Sequence, residues 1–220
     1  AVPAQAADLA YDVPGGKIYF GAATGTVTRS DGTVTEAAIP EQIHGVTVTA
    51  IGATAFYNRD ELTSVTIPNT VTTIGREAFY NCDGLTSIVL PDSVTSVGRS
   101  VFDNCNQLTS VTIGSGLSTL STMMFYGCSD LTGITLPNTV TSIGYGAFEG
   151  AGLTSITLPD SVTSIGNSAF SSCRQLKSAY VPDSVTQFGE VVFSYCTSLT
   201  DVRLPSGLTT LPRSTFENCS

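Results

Sequence analysis

The residues of this sequence with the most reactive side chains are its cysteines, and they recur at a fixed spacing. Each cysteine lies three residues after a phenylalanine, and the same interval separates neighbouring cysteines except at one wider gap. The six are Cys82, Cys105, Cys128, Cys173, Cys196 and Cys219. Thiols at a regular spacing can form disulfides, bind zinc as thiolates, or pack in a core as small hydrophobic side chains.

The spacing favours buried thiols. If each period forms one coil, equivalent cysteines lie about 4.8 Å apart, beyond the ~3.8 Å mean Cβ separation of a disulfide. Cys128 and Cys173 lie two coils apart, so each run of three cysteines leaves one thiol without a partner. Disulfides between coils remain the less favoured alternative. A zinc site is disfavoured, because a linear column does not supply tetrahedral ligands and no C-x-x-C motif occurs.

No catalytic motif accompanies the cysteines. His44 is the only histidine, and the sequence contains neither a G-x-S-x-G elbow nor a glycine loop with a lysine for phosphate. Asn69, Asp92, Asp160 and Asp183 recur beside a proline and could suggest calcium, but Asn and Asp at such positions usually close turns with their own side chains. We therefore predict that the chain is not an enzyme and carries no cofactor or metal.

The phenylalanines define the elements that position these residues. They stand at positions 56, 79, 102, 125, 148, 170, 193 and 216, so that all steps between neighbours are equal except for one step, from 148 to 170, that is shorter by one. A period between 20 and 50 residues is typical of solenoids and propellers. Each full unit begins at a leucine, and the unit from Leu131 is one residue short and lacks its cysteine. These leucines are Leu62, Leu85, Leu108, Leu131, Leu153, Leu176 and Leu199.

Each unit is predicted to contain three segments. The alternating pattern L-T-S-V-T-I at 62–67 predicts a short strand, and the proline after it ends the ladder. A second short apolar segment ends at a glycine such as Gly75, which we interpret as a turn. The segment G-R-E-A-F-Y-N-C at 75–82 predicts one helical or 3₁₀ turn. A single unit cannot bury a core, so neighbouring units must share one core and one parallel ladder.

The ends of the chain differ from its repeats. Residues 1–40 are predicted to form an N-terminal tail and a β-hairpin-like cap, because K-I-Y-F is followed by turns that contain glycine. Residues 1–8 have the small-residue character of signal-peptidase sites. Residues 41–220 are predicted to form one solenoid of 23-residue units. The chain stops at Cys219-Ser220 inside a unit, so we expect a C-terminally truncated solenoid whose natural protein continues.

Composition limits the partners. The net charge is −9, and only 12% of residues are charged. Proteins that bind nucleic acid concentrate lysine and arginine on one face, so no nucleic-acid partner is expected. No apolar run approaches the ~18 residues that a membrane span needs.

The outward positions of the predicted strands contain one candidate binding site. Most units place threonine, serine and threonine there, but the last two units differ. Lys177 and Tyr180 stand in one unit, and Asp201 and Arg203 stand in the next. Tyr180 and Arg203 share a strand position, so we expect them to lie about 5 Å apart. Tyrosine and arginine are enriched in binding hot spots. The alternative is ordinary surface variation, with Tyr180 stacked on Arg203.

The repeat also resembles a known family. The stretch L-T-S-I-T-L-P-D-S-V-T-S-I-G-N-S-A-F-S-S-C at 153–173 resembles the BspA-like, or Treponema-type, leucine-rich repeats of bacterial surface proteins. Thr70 and Ser93 replace the ladder asparagine of the common leucine-rich pattern, which this class lacks. The resemblance covers about residues 40–220. It implies a right-handed superhelix with a parallel sheet on its concave side, and a secreted or surface-attached location.

Two functions follow from these observations. The first is a non-catalytic bacterial cell-surface or secreted scaffold that binds a protein ligand on a host or another cell, as an adhesin does, with a glycan as a possible ligand. The alternative is a structural spacer, a self-associating repeat array that projects another domain. Self-association without capture of another protein would favour the spacer.

Overall fold

The computed structural model describes residues 8–219, so the predicted tail before Asp8 lies outside the described residues. All of the regular secondary structure in this range is β-strand. The strands are β1 (Leu9–Val13), β2 (Gly16–Gly21), β3 (Thr26–Ser30), β4 (Glu36–Ala38), β5 (Gln42–Ile43), β6 (Val46–Thr47), β7 (Ala50–Ile51), β8 (Ser64–Thr66), β9 (Thr73–Ile74), β10 (Ser87–Leu90), β11 (Ser96–Val97), β12 (Ser110–Ile113), β13 (Thr119–Leu120), β14 (Ser142–Ile143), β15 (Ser155–Thr157), β16 (Ser164–Ile165), β17 (Ser178–Tyr180), β18 (Gln187–Phe188) and β19 (Asp201–Arg203).

The units stack as successive coils of a parallel β-solenoid, as predicted. In the longer strand of the coil, Ser87 of β10 is in register with Ser110 of β12, one repeat period later in the chain. In the shorter strand, Thr119 of β13 is in register with Ser142 of β14. Equivalent residues of adjacent coils therefore lie over one another, and most coils contribute one longer and one shorter strand.

The repeat phenylalanines form one continuous column in the core. Consecutive rings are stacked with centroids 5.1 to 5.8 Å apart and nearly parallel planes. The rings from Phe56 to Phe193 are fully buried, and the leading leucines from Leu62 to Leu176 are buried with them. Because no ring has a separate core, the coils are coupled through this column.

The prediction of a helical or 3₁₀ turn is wrong. No helix of either type occurs between residues 8 and 219. In the first coil, Thr54 and Asn58 have left-handed φ angles of 58° and 54°, and between them the Phe56 N–H donates to the Ala78 carbonyl at 2.8 Å. Alternate N–H groups of this segment therefore donate to the next coil, while those between them, such as the Tyr57 N–H to the Thr54 carbonyl at 3.1 Å, make local turn bonds. The alternation excludes a continuous helix.

The recurring glycines begin turns, as with the Ala147 N–H that donates to the Gly144 carbonyl at 3.3 Å, but the turn is not what requires glycine. The glycines at positions 52, 75, 98, 144, 166 and 189 are absent from the left-handed region. A Cβ atom on Gly98 would lie 2.4 Å from the Arg76 nitrogen and 2.7 Å from the Gly75 carbonyl carbon. Glycine is required there because the backbones of two coils approach each other too closely for a side chain.

The N-terminal strands continue both ladders of the solenoid. Strands β1, β2 and β3 form an antiparallel meander, and β3 pairs in parallel with β7. Strand β4 pairs in parallel with β8 of the first full unit. Arg59 occupies the cysteine position of its coil, and its guanidinium donates to the side chain and the carbonyl of Ser30. This pairing supports our proposal that residues 1–40 cap the solenoid.

Candidate ligand-binding face

The longer strands and the equivalent residues 131–137 form one exposed surface, which we call the long-strand face. Its outward side chains are neutral hydroxyl groups over most coils, while most of the alternating inward side chains are buried. Thr86 and Ser87 are exposed, for example, whereas Ile88 is buried. The face presents many weak hydrogen-bonding groups and little charge.

The hydrogen-bond ladder of this face is interrupted. Strand β4 pairs with β8, β10 pairs with β12, and β17 pairs with both β15 and β19, but no ladder joins these blocks in the described chain. Residues 131–137, between β12 and β15, belong to no strand. Among residues 8–219, their only main-chain bond to a flanking strand segment runs from the Thr154 N–H to the Thr132 carbonyl at 2.9 Å. The shorter strands β13, β14, β16 and β18 remain paired throughout the same coils.

Two cavities lie on this face at the interruptions. The larger, of about 890 Å³, extends over residues 133–137 and is bounded by β12 on one side and by Ser155, Thr157 and Pro159 on the other. The smaller, of about 460 Å³, lies between β8 and β10 beside the exposed Val89. Neither volume is unusual for a ligand site.

The structure brings the predicted patch together at the far end of the face. Tyr180 and Arg203 are register partners on β17 and β19, and the guanidinium carbon of Arg203 lies 4.7 Å from the centroid of the Tyr180 ring. The Arg203 guanidinium also donates to the Tyr180 hydroxyl and, at 3.1 Å, to Asp183. Lys177 and Asp201 are exposed beside them. The placement is as predicted, and binding by these four residues remains a proposal.

Sequence reasoning did not predict three features of this face. Asp183 is predicted to be a turn residue, but its carboxylate also accepts a hydrogen bond from Arg203. The pKa of this carboxyl group is lowered, mainly by the hydrogen bond from the Ser206 N–H and to a smaller extent by the charge of Arg203. Val89 stands outward where most coils have threonine, and it is 58% exposed. Gly133 stands where most coils have serine. The last two were visible as departures from the repeat pattern.

Asp92 and Asp183, which follow prolines, accept hydrogen bonds from the next coil, which differs from the predicted closure of their own turns. Asp92 accepts a hydrogen bond from the Ser115 N–H at 2.6 Å, and this bond lowers the pKa of the Asp92 carboxyl group. Ser93 donates to the carbonyl of Val71 in the preceding coil at 2.7 Å. Serine or threonine at this position therefore joins adjacent coils.

Removing one of these hydroxyl groups should reduce stability. Ser161 donates to the Val140 carbonyl at 2.6 Å, so Ser161→Ala is expected to lower the free energy of unfolding by about 1 kcal/mol. The hydroxyl of Thr70 is buried without a partner, so Thr70→Val should cost nothing or stabilise the protein. Urea unfolding of both variants measures the difference. Equal losses would show that the inter-coil bond contributes nothing.

The cysteines are unbridged thiols within the described chain, and all but the half-buried Cys219 are buried, as favoured by the spacing. Each Sγ lies 3.0 to 3.1 Å from the carbonyl oxygen of the repeat phenylalanine in the preceding coil, as with Cys105 and Phe79. Burial raises the pKa of Cys82 and Cys196 to about 12. The groups are therefore neutral donors at physiological pH, and Ala151 takes the cysteine position in the short unit.

Thiol labelling should follow this burial. Because the thiolate is the reactive form, the five buried cysteines of the native protein should react with N-ethylmaleimide roughly 100-fold more slowly than in urea at pH 7.5. Cys219 is only half-buried and should react first. Mass spectrometry of tryptic peptides measures each rate. Fast native labelling of Cys105 or Cys128 would contradict the buried column.

The part of the chain that the structure describes contains no group of histidine, cysteine or carboxylate side chains arranged to hold a metal ion. The exposed His44 lies in the turn between β5 and β6. No helix between residues 8 and 219 is long and apolar enough to span a membrane.

These features define a class of protein, the leucine-rich-repeat solenoids that expose one β-face to solvent. The model of the BspA type leucine rich repeat region matches residues 49–177 and 121–220, in six copies. The chain belongs to this family. No curated protein matches the sequence.

Several solved structures have the same fold. A leucine rich cell surface protein from Faecalibacterium prausnitzii is 28% identical with a TM-score of 0.56, and the match covers 96% of this chain and 80% of that protein. A leucine rich repeat protein from T. pallidum is 27% identical with a TM-score of 0.62, covering 93% and 83%. The pneumococcal vaccine antigen PcpA, at 17% identity, TM-score 0.53 and coverage of 90% and 68%, shows the fold alone.

Proposed function

We propose that this chain is a non-catalytic scaffold of the bacterial cell surface or exterior, and that it binds a protein ligand on the long-strand face. The observation that carries this proposal is the face itself, where neutral hydroxyl groups extend over successive coils and end at the Tyr180–Arg203 cluster. An extended surface with an aromatic and arginine anchor is suited to protein recognition. The name of the Faecalibacterium relative supports the surface location.

The cluster suits a binding role because its side chains are already ordered. Arg203 contacts Tyr180 and Asp183 at the same time. The side chains of Arg203 and Tyr180 therefore lose conformational freedom before a ligand binds. A rigid anchor avoids the cost of about 0.5–1.5 kcal/mol for each side chain that binding would otherwise immobilise. The exposed Lys177 and Asp201 add one charge of each sign at its edge.

Binding to an array of purified extracellular-matrix and cell-surface proteins tests the proposal. The double variant Tyr180→Thr with Arg203→Thr restores the threonine of the other coils and should weaken binding to a captured protein at least tenfold. The cap offers a matched control, because Arg29 stacks on Tyr19 with its guanidinium carbon 3.4 Å from the ring centroid. Tyr19→Thr with Arg29→Thr should leave affinity unchanged.

Three results would contradict the proposal. The first is an unchanged affinity in the Tyr180 and Arg203 variant, which would remove this cluster from the site. The second is self-association in analytical ultracentrifugation with no protein captured, which would favour the structural spacer. The third is capture of glycans without capture of protein, which would change the class of ligand.

A further inference from the structure

One row of side chains on the turn segments combines tyrosine rings with carboxylates. Its members directly follow the repeat phenylalanines, and we call it the tyrosine row. In chain order it consists of Tyr57, Tyr80, Asp103, Tyr126, Glu149, Ser171, Ser194 and Glu217. The Asn81 N–H donates to the Asp103 carbonyl at 2.9 Å, and the Asn104 N–H donates to the Tyr126 carbonyl at 2.7 Å. Successive members of the row therefore lie over one another.

One coil of this row lacks a ring between two coils that have one. The Tyr57 and Tyr80 rings are stacked with centroids 5.0 Å apart and planes within 8° of each other, so flat side chains at this position lie parallel from coil to coil. Asp103 stands between Tyr80 and Tyr126. Because these two tyrosines are two coils apart, about 10 Å separates them. The shorter Asp103 side chain fills only the inner part of that space.

Asp103 provides a carboxylate without a cation at the floor of the space. The residue is 6% exposed, and in residues 8–219 its carboxylate forms no ion pair and accepts no hydrogen bond of standard geometry. Burial raises the pKa of this carboxyl group, the nearby Ser100 hydroxyl lowers it, and the charge of Glu77 raises it further. Glu77 itself has Arg99 at 3.5 Å. A cation placed over Asp103 would compensate the one carboxylate of this group that has none.

We infer that this space, which we call the Asp103 slot, receives an arginine side chain of a protein partner. The guanidinium group is planar, so it can lie parallel to the rings on both sides, and its fork of N–H groups matches a carboxylate. A neutral ring would leave the carboxylate uncompensated, and an ammonium group does not match a flat space. The net charge of −9 favours the approach of a basic surface.

Titration of the full chain with Nα-acetyl-arginine methylamide tests the slot without knowledge of the partner. In NMR spectra, the ring signals of Tyr80 and Tyr126 should shift and reach saturation, because the guanidinium stacks on both rings. The citrulline analogue has the same shape without the charge, and the lysine analogue has the charge without the plane. Each of them should bind at least tenfold more weakly.

Substitutions at Asp103 separate its charge from the space above it. Asp103→Asn keeps the space and removes the charge, and Asp103→Tyr fills the space with a third ring, so both should weaken binding of the arginine derivative at least tenfold. Asp103→Asn keeps the test decisive if the tyrosine variant does not fold. Glu149→Gln is the matched control, because Glu149 lies in the same row with a ring on one side only. Its affinity should stay within twofold of the wild type.

Four results would overturn the inference. They are no saturable binding to the wild type, equal binding of the citrulline or lysine analogue, an equal loss in Glu149→Gln and Asp103→Asn, and binding of the free derivative while every captured protein is insensitive to Asp103→Asn. The inference goes beyond the proposed function, because the tyrosine row lies on the turn segments, outside the long-strand face. The Tyr180 and Arg203 variant should bind the arginine derivative like the wild type, so failure of one proposal is distinguishable from failure of the other.

Discussion

Phe125→Ala is expected to lower the free energy of unfolding by about 3–5 kcal/mol, the range for a fully buried phenylalanine. The Phe125 ring lies between Phe102 and Phe148, with centroids 5.6 and 5.4 Å away. Its removal leaves a cavity in the middle of the column that joins all the repeat units. Because single domains have about 5–15 kcal/mol of stability in total, this loss should be visible in urea unfolding at room temperature.

A matched substitution at the end of the column sets the scale. Phe216 stacks on Phe193 alone and is only partly buried, so Phe216→Ala should cost less than half as much. If Phe125→Ala does not fold, Phe125→Leu keeps most of the buried volume and should give a smaller loss that can be measured. Equal losses at positions 125 and 216 would show that the central ring has no larger role than the terminal one.

Gly98→Ala should destabilise the protein by about 1–3 kcal/mol, as overpacking of a close contact usually does. The new methyl group would lie 2.4 Å from the backbone nitrogen and 2.7 Å from the Cα atom of Arg76, and a backbone cannot move aside as a side chain can. Two adjacent coils would have to separate, which stretches the bond from the Gly98 N–H to the Ile74 carbonyl, 2.8 Å in the native protein. The shift in the midpoint of thermal unfolding measures the effect.

The same change at Gly133 should have the opposite sign. Alanine there meets no atom within 4 Å and reduces the entropy of the unfolded chain, so Gly133→Ala should stabilise the protein by about 0.4–1 kcal/mol. A loss at both positions would mean that the glycines share a local conformational role. Opposite signs would confirm that Gly98 is required for the contact between coils.

Much of the architecture could be predicted because the repeat is visible in the sequence as phenylalanines at a nearly constant spacing. Once each phenylalanine marks one coil, the register of every coil follows, and so do the ring column, the buried thiols and the proximity of Tyr180 to Arg203. Alternation of side chains also identified the outward face of each strand. The resemblance to the BspA-like repeats is confirmed for residues 49–220.

The turn segment could not be predicted from spacing alone. An apolar spacing of three to four fits a 3₁₀ turn, but the chain in 54–58 adopts left-handed conformations whose N–H groups bond to the next coil. That choice depends on partners such as Ala78, which belong to the following unit, and no local pattern contains them. The reason for the recurring glycines could not be predicted either, because close approach of two backbones and a tight turn both favour a residue without a side chain.

The sequence by itself determined the number of residues per coil, the side chains that point inward, and the neutral composition of the long-strand face. These depend on period and alternation, which are properties of the chain read in order. Only the tertiary structure decided which main-chain groups stay unpaired, since a hydrogen bond depends on the spacing and tilt of two coils. The interruption of the ladder at residues 131–137 and the contact of Asp183 with Arg203 arise from that spacing, which no single unit encodes.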